Sequence, residues 1–432
     1  MASRVPSSAA ERVSATSINV DDAQALEHLV SQHDLTISLI PLVSNTYKLK
    51  LTFDSYTYHA QVIKAAIKHR KHVVTTSYVN PQMAALDAEA KAAGITVMNE
   101  IGVDPGIDHL WAVKTIDQVH QAGGKILSFV SYCGGLPAPE CSNNPLGYKF
   151  SWSSRGVLLA LRNTAKYLDG GEPVEIPGGA LMKSAKPIYT GYPAFAFVGY
   201  PNRDSTPYSE RYGIPEAQTV LRGTLRYHGF PTFVQALVEL GFLQDTEEAY
   251  LKPDAQALSW RALTAKLCGV ASDASDDVLV AAVSEKAQLK QLPESEQKHV
   301  LLGMRWLGLL SATDMVPLRC TLLDSLCAQL ESKMMYAEGE RDMVMLQHNF
   351  LVETKEGKQQ TILSTLLEFG QPNGTTAMAK TVGVPCGLAT QLVLDGDIKE
   401  RGVIAPMSMS ICAPLIAALE KEGIEMKEDI IE

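Results

Sequence analysis

An alternation of short apolar strand signals with amphipathic helix signals, between residues 34 and 119, most constrains what this chain can fold into. Asp34-Leu-Thr-Ile-Ser-Leu-Ile-Pro41 is a brief apolar run closed by proline, the pattern of a buried parallel strand. His59 to His69 puts Val62, Ile63, Ala66 and Ile67 on one helical face. His72-Val-Val-Thr-Thr-Ser-Tyr78 is β-branched and reads as a second strand. Asn80-Pro81 supplies an N-cap with a first-turn proline and Gly94 a stop, which frame a second helix. Ile95-Thr-Val-Met-Asn99 is a third strand, and Asp104-Pro105 is placed to cap a helix carrying Ile107, Leu110, Trp111 and Val119. This order implies right-handed parallel crossovers in a doubly wound sheet. Such sheets bind ligands beyond the carboxyl ends of their strands. That singles out Ile40-Pro41, Thr76-Ser77-Tyr78 and Glu100-Ile-Gly-Val-Asp104, the alternative being ordinary loops.

Composition narrows the partners. The 432 residues are 46% hydrophobic and 20% charged, with 38 basic against 48 acidic side chains and a net charge of −10. That length suits two or three globular domains. The acidic balance argues against a nucleic-acid or anionic-membrane partner, and Lys64 to Lys71 reads as the wet side of a helix. Seven scattered cysteines with no CxxC fit reduced thiols. No continuous apolar run approaches a bilayer span, and Met1 to Arg12 lacks a secretory h-region. A cytoplasmic protein is the expectation. There is no GxSxG elbow and no spaced His/Cys ligand set, so neither a serine hydrolase nor a metal site is expected.

After Gly123-Gly124 the texture changes. Lys125 to Cys133 reads as a strand, followed by a polar, Pro-rich loop over 134–147, then Tyr148, Phe150 and Trp152 at spacing two. Residues 231–335 read as mostly helical. Asp342 to Val352 and Gln359 to Leu363 alternate like antiparallel strands turned at Glu356-Gly357. Thr376 to Leu394 reads as an Ala/Met-rich helix and Arg401 to Pro406 as a Gly/Pro loop. A dinucleotide enzyme of this architecture opens with a strand and a Gly-rich turn at a helix N-terminus, yet the first 16 residues contain no glycine.

Three motifs then carry a resemblance: Thr75-Thr-Ser-Tyr-Val-Asn-Pro81, Met98-Asn-Glu-Ile-Gly-Val-Asp-Pro-Gly-Ile-Asp-His109 and Ser131-Tyr-Cys-Gly-Gly-Leu-Pro-Ala-Pro-Glu140. With Pro145 to Arg155, Tyr200 to Thr206, Arg222 to Tyr227 and Ala377 to Pro385, they closely resemble the saccharopine reductase family, the glutamate-forming saccharopine dehydrogenases of fungal lysine synthesis. The likeness runs from about residue 17 to the C-terminus. It implies an α/β fold: a Rossmann-type NADP-binding domain over 1–122 with a return over 385–432, its opening βαβ apparently missing. A second, α+β substrate and dimerisation domain over 123–384 would contain a helical subdomain over about 231–335.

The resemblance implies that NADP(H) drives the reductive joining of L-glutamate to 2-aminoadipate 6-semialdehyde, giving saccharopine, in a homodimer. By position, Ser77, Tyr78, Asp104, Arg203, Thr224, Leu225 and Arg226 resemble substrate-binding residues. Leu39, Ile40, Thr75, Thr76, Gly102, Val103, Trp152 and Ser153 resemble cofactor-lining residues, and Asp104, Tyr78 and Cys133 resemble the proton-transfer group. The chemistry agrees: saccharopine's carboxylates call for guanidinium groups, and imine reduction needs proton transfers and a carboxylate near the iminium. On the residues alone, Asp104 is equally a helix cap, Cys133 a small hydrophobe and Tyr78 a pocket wall.

Two departures from the family stand out. Its Gly-Ser-Gly-Phe-Val-type loop is missing, with Asn19 where Asp is usual, and residues 42–55 are inserted after Pro41. Both are expected to be gene-model artefacts, and a chain real as written is expected to bind NADP weakly. The competing readings are the same chemistry run oxidatively, in lysine breakdown, and a non-catalytic remnant of the fold.

Overall fold

The computed structural model describes residues 13–40, 57–151 and 153–431. The expectations about the chain's opening residues, the 42–55 insert and Trp152 concern positions outside the described residues. The chain forms two compact units, Met1–Ile107 with Val382–Ala418 and Asp108–Thr381 with Leu419–Glu432.

In the first unit, Asp22 caps helix α1 (Ala23–Ser31) by accepting the Gln24 and Ala25 N–H groups. Strand β1 (Leu35–Ser38), helix α2 (Thr57–His69) and strand β2 (His72–Thr75) follow. Asn80 caps α3 (Pro81–Ala84) as expected, its side chain accepting the Met83 N–H. The expected single helix breaks there, and α4 (Asp87–Ala93) ends at Gly94 with φ +71°. Strand β3 is Thr96–Met98, and helix α5 (Ile107–Gln121) starts two residues beyond Pro105, its first N–H bonded to the Gly102 carbonyl.

The sheet order is β1-β2-β3-β12, where β12 is Gly402–Ile404, with every pair parallel. Its last strand, β12, lies in the stretch read from sequence as a Gly/Pro loop. It is a strand because Val403 pairs with Val97 from some three hundred residues earlier in the chain, a partner that local pattern cannot reveal. The core joins Val62, Ile63 and Ala66 of α2 to Leu26, Val30, Met83, Leu86, Val73 and Val97.

The second unit is built on a nine-stranded sheet. Its strands are β4 (Lys125–Pro137), β5 (Ala165–Asp169), β6 (Glu172–Ile176), β7 (Lys186–Pro187), β8 (Phe197–Pro201), β9 (Thr219–Tyr227), β10 (Asp342–Glu353), β11 (Gln359–Phe369) and β13 (Lys427–Ile431). Strands β4 and β9 run parallel; the other pairs are antiparallel. Strand β4 extends four residues beyond Cys133, because β10 pairs with it as far as Pro137, and shortens the expected loop. Helix α6 (Ser154–Ala160) and short α7 (Tyr208–Arg211) lie between strands. All the α-helical and strand elements between β9 and β10 are helices: α8 (Phe230–Leu240), α9 (Trp260–Cys268), α10 (Asp276–Lys286), α11 (Glu294–Leu307) and α12 (Leu322–Met334).

The units divide at Ile107 and Thr381, whereas the sequence reading drew its lines at 122 and 384. Most of α5 groups with the second unit, and so does β13, because residues 427–431 pair with Thr361–Thr365 of β11. The tail therefore contributes a strand to the second sheet and does not return whole to the first unit.

Helices α13 (Ala377–Asp395) and α14 (Met409–Lys421) complete the chain. Among the described residues α13 alone is long and apolar enough to cross a membrane by length and mean composition, although it holds no continuous apolar run of that length. Glycines and threonines break its apolar run without lowering its mean hydropathy much. It also holds Pro385 and Lys380, which pairs with Glu368 at 2.9 Å, and buries Cys386, Ala389 and Val393. None of the seven cysteines is joined in a disulfide.

Candidate active site

The carboxyl ends of β1, β2 and β3 are tied together by side chains. His59, on the buried face of α2, places Nδ1 2.8 Å from Ser38 Oγ and Nε2 3.0 Å from Ser77 Oγ, linking the ends of β1 and β2. Its pKa is lowered by burial, so the ring is held neutral. Glu100, fully buried just beyond β3, accepts the Val79 N–H at 3.0 Å, while its own N–H donates to the Ser77 carbonyl at 3.1 Å. Its backbone is left-handed, φ +60°, a conformation costly for a non-glycine residue and held here by bonds on both sides.

Beyond Glu100 the chain makes a tight loop. The Gly102 N–H donates to the Pro105 carbonyl at 2.8 Å, and a Cβ on Gly106 would strike the Gly102 backbone. This loop holds the Asp104 carboxylate where the Tyr78 hydroxyl donates to it at 2.7 Å, a short charge-assisted bond. Asp104 thus receives the tyrosine, and the helix it was expected to cap begins later, at Ile107.

Ser77, Tyr78, Gly102, Val103 and Asp104 therefore belong to one cluster. Leu39 stands 59% exposed beside half-buried Ile40, an apolar shelf at the end of β1. Thr76 is half-buried, but Thr75 is wholly buried and its Oγ1 accepts the Ser77 N–H at 3.1 Å, so its side chain supports the loop from behind. The shelf and strand-end hydroxyls suit the nicotinamide half of a dinucleotide. No strand, glycine turn and helix suited to a pyrophosphate occurs among the described residues.

In the second unit the register aligns Cys133 of β4, Thr224 of β9 and Tyr200 of β8 across three neighbouring strands. Arg222 and Arg226 share that face of β9, two residues to either side of Thr224. Arg222 pairs with buried Asp108 and lies over the Tyr208 ring at 4.3 Å.

Arg226 differs. It is 7% exposed, stacks over Tyr148 at 4.9 Å and Phe230 at 5.3 Å, and donates to the Leu225 carbonyl at 2.7 Å. Among the described residues its Nε has no hydrogen-bond partner and no carboxylate pairs with it. The hydroxyl of Tyr200, likewise buried, has no partner among the described residues either, and burial pushes its pKa up. A desolvated cation without a counter-charge is costly unless an anion arrives to pair with it.

The other second-unit candidates fare unevenly. Cys133 is half-buried. Arg203 is exposed, with φ +56°, and its carbonyl accepts the Lys166 N–H. Leu225 is fully buried in the hydrophobic core against Gly134, so only its backbone could reach a ligand. Ser153 caps α6 by accepting the Gly156 N–H at 3.1 Å. The sequence reading passed over His59, Tyr200 and the carboxylate of Glu100. The only signals available were a histidine on a helix face and an acidic residue at a strand end.

Two family models match in tandem: the saccharopine dehydrogenase NADP binding domain over residues 2–98 and the saccharopine dehydrogenase C-terminal domain over residues 102–424. The chain belongs to the saccharopine dehydrogenase family. It is 59% identical over 418 residues to the NADP⁺, L-glutamate-forming saccharopine dehydrogenase of Schizosaccharomyces pombe, covering 97% of this chain and 89% of that one. The enzyme of the same name from Saccharomyces cerevisiae is 49% identical, over 96% and 89%. The mitochondrial alpha-aminoadipic semialdehyde synthase of Bos taurus is 40% identical over 93% of this chain but only 41% of its own length. Among solved structures, apo saccharopine dehydrogenase (L-Glu forming) from Saccharomyces cerevisiae matches with TM-score 0.87 and 48% identity, over 98% of this chain and 90% of that one.

Proposed function

We propose that this member of the saccharopine dehydrogenase family uses NADPH to condense L-glutamate with 2-aminoadipate 6-semialdehyde and reduce the imine to saccharopine, in the biosynthetic direction. The observation that carries the reading is the buried Arg226 guanidinium, which has no carboxylate partner among the described residues and suits a substrate rich in carboxylates. The glutamate amine adds to the aldehyde, water leaves, and the protonated imine accepts a hydride to become the secondary amine. NADPH, when bound, supplies that hydride.

The chain's own residues bind, orient and move protons. Arg226, and Arg203 at the exposed turn, take substrate carboxylates, with Thr224 beside Arg226 on the same strand face. The Tyr78–Asp104 pair places a carboxylate to stabilise the iminium and a hydroxyl to pass protons as water is lost. Cys133 is a further proton-transfer candidate. Leu39, Ile40, Thr76, Gly102 and Val103 flank the nicotinamide, Thr75 supports them, and Ser77 contacts substrate. We assign Trp152 and Ser153 a cofactor-binding role as well, and infer a cytoplasmic homodimer, in keeping with cysteines that form no disulfide.

A fluorescence titration with NADPH, followed by saccharopine, tests this reading. The expected result is roughly micromolar NADPH binding tightened by saccharopine, and NADPH oxidation only when glutamate and the semialdehyde are both present. Absence of NADPH binding would overturn it.

A further inference from the structure

His59 lies outside the substrate, cofactor and proton-transfer groups named above, yet it is 4% exposed and engages both ring nitrogens. A neutral imidazole carries one N–H, so one of its serine partners must accept from the ring while the other donates to it. The directions of the Ser38 and Ser77 hydroxyls are therefore correlated through the ring. Ser38 ends β1 just before Leu39 and Ile40; Ser77 immediately precedes Tyr78. The rest of Ser77 is already held, its N–H by Thr75 Oγ1 at 3.1 Å and its carbonyl by the Glu100 N–H at 3.1 Å. The hydroxyl is the group still able to rotate, and His59 is what orients it.

We propose that His59 is a positioning residue that sets the Ser77 hydroxyl, and with it the strand end carrying Tyr78, in register with the end of β1. Burial supports the role, because a ring that stayed charged would donate to both serines and release the correlation. The inference rests on the reading that Ser77 contacts substrate. It adds a link between the cofactor-side and substrate-side strand ends that no residue pattern implied.

The test is a set of double-mutant cycles in the full-length protein, with kcat and KM for glutamate and semialdehyde measured in the reductive direction. Ser77→Ala should lower kcat/KM about tenfold. His59→Leu should do the same, and the double variant should be no worse than either single one, because His59 acts through Ser77. Ser38→Ala, a small change that should leave folding intact, should cost about threefold alone and nothing further in the Ser77→Ala background. His59→Gln, which keeps one hydrogen bond, should recover part of the loss. A merely structural histidine would lower the melting temperature and multiply its effect with Ser77→Ala, and that outcome overturns the proposal. Wild-type kinetics in Ser38→Ala and His59→Gln, alongside an impaired Ser77→Ala, would also overturn it and leave the substrate role of Ser77 standing. Wild-type kinetics in Ser77→Ala itself would remove that role and this inference together.

Discussion

Replacing Arg226 with methionine should leave the folded protein nearly as stable as before while sharply weakening its hold on saccharopine. Among the described residues the guanidinium makes one hydrogen bond, to the Leu225 carbonyl at 2.7 Å, and two cation–π contacts, at 4.9 and 5.3 Å. Those are worth about 1.5–3 kcal/mol and about 0.5–2 kcal/mol each. Against them stands the cost of keeping an unpaired cation 7% exposed, which is several kcal/mol. Methionine occupies similar space, and its sulfur gains about 0.3–1.5 kcal/mol beside aromatic rings. The contributions nearly cancel, so unfolding free energy should change by less than about 2 kcal/mol. A ligand carboxylate, however, loses its charged partner, at about 2–5 kcal/mol, or roughly 30-fold to several thousand-fold in affinity. Lysine at this position keeps the charge without the fork and should fall between. Thermal melting of the free protein, paired with a saccharopine titration, reads both quantities. A large drop in melting temperature with unchanged saccharopine affinity would refute the reasoning and make Arg226 a structural cation between two rings.

Tyr78→Phe removes the hydroxyl that donates to Asp104 at 2.7 Å, and at about 1.5–3 kcal/mol should lower kcat roughly ten- to hundredfold with an unchanged circular dichroism spectrum; an unaltered kcat would exclude the pair from proton transfer. Gly106→Ala drives a Cβ into the Gly102 backbone at φ +150° and should destabilise the loop by more than about 2 kcal/mol, so a melting curve like the wild type's would contradict the geometry. His348, buried beside Ser131, has its pKa lowered by burial from 6.5 to about 4. Between those values the unfolded chain binds the extra proton, so stability is complete above about pH 6.5 and falls as pH drops towards 4, by on the order of 3 kcal/mol. Urea midpoints measured across that window should slope in the wild type and flatten in His348→Gln; equal slopes would assign the acid sensitivity to other groups.

Much of the first sheet could be read in advance, because strand and helix periodicity, the Asn80 cap and the Gly94 stop are properties of a few neighbouring residues. The motifs around Tyr78, Asp104 and Cys133 likewise identified the family, since a long run of residue types in order is local information. What stayed hidden depends on distance along the chain. Residues 402–404 become a strand only beside β3, and residues 427–431 only beside β11. Alternation on β9 could say that Arg222, Thr224 and Arg226 share a face, but not that Arg222 meets Asp108 while Arg226, among the described residues, meets aromatic rings and a carbonyl. Leu225 was named with its neighbours, and the folded sheet turned its side chain into the core.

Sequence alone thus determined most of the local elements of the first sheet, the family and the identity of the polar groups at the strand ends. Tertiary structure alone decided which of those groups are buried, which are paired and which carry an uncompensated charge. Burial and ion pairing are set by residues hundreds of positions apart, and desolvation acts only once the chain has closed around the group.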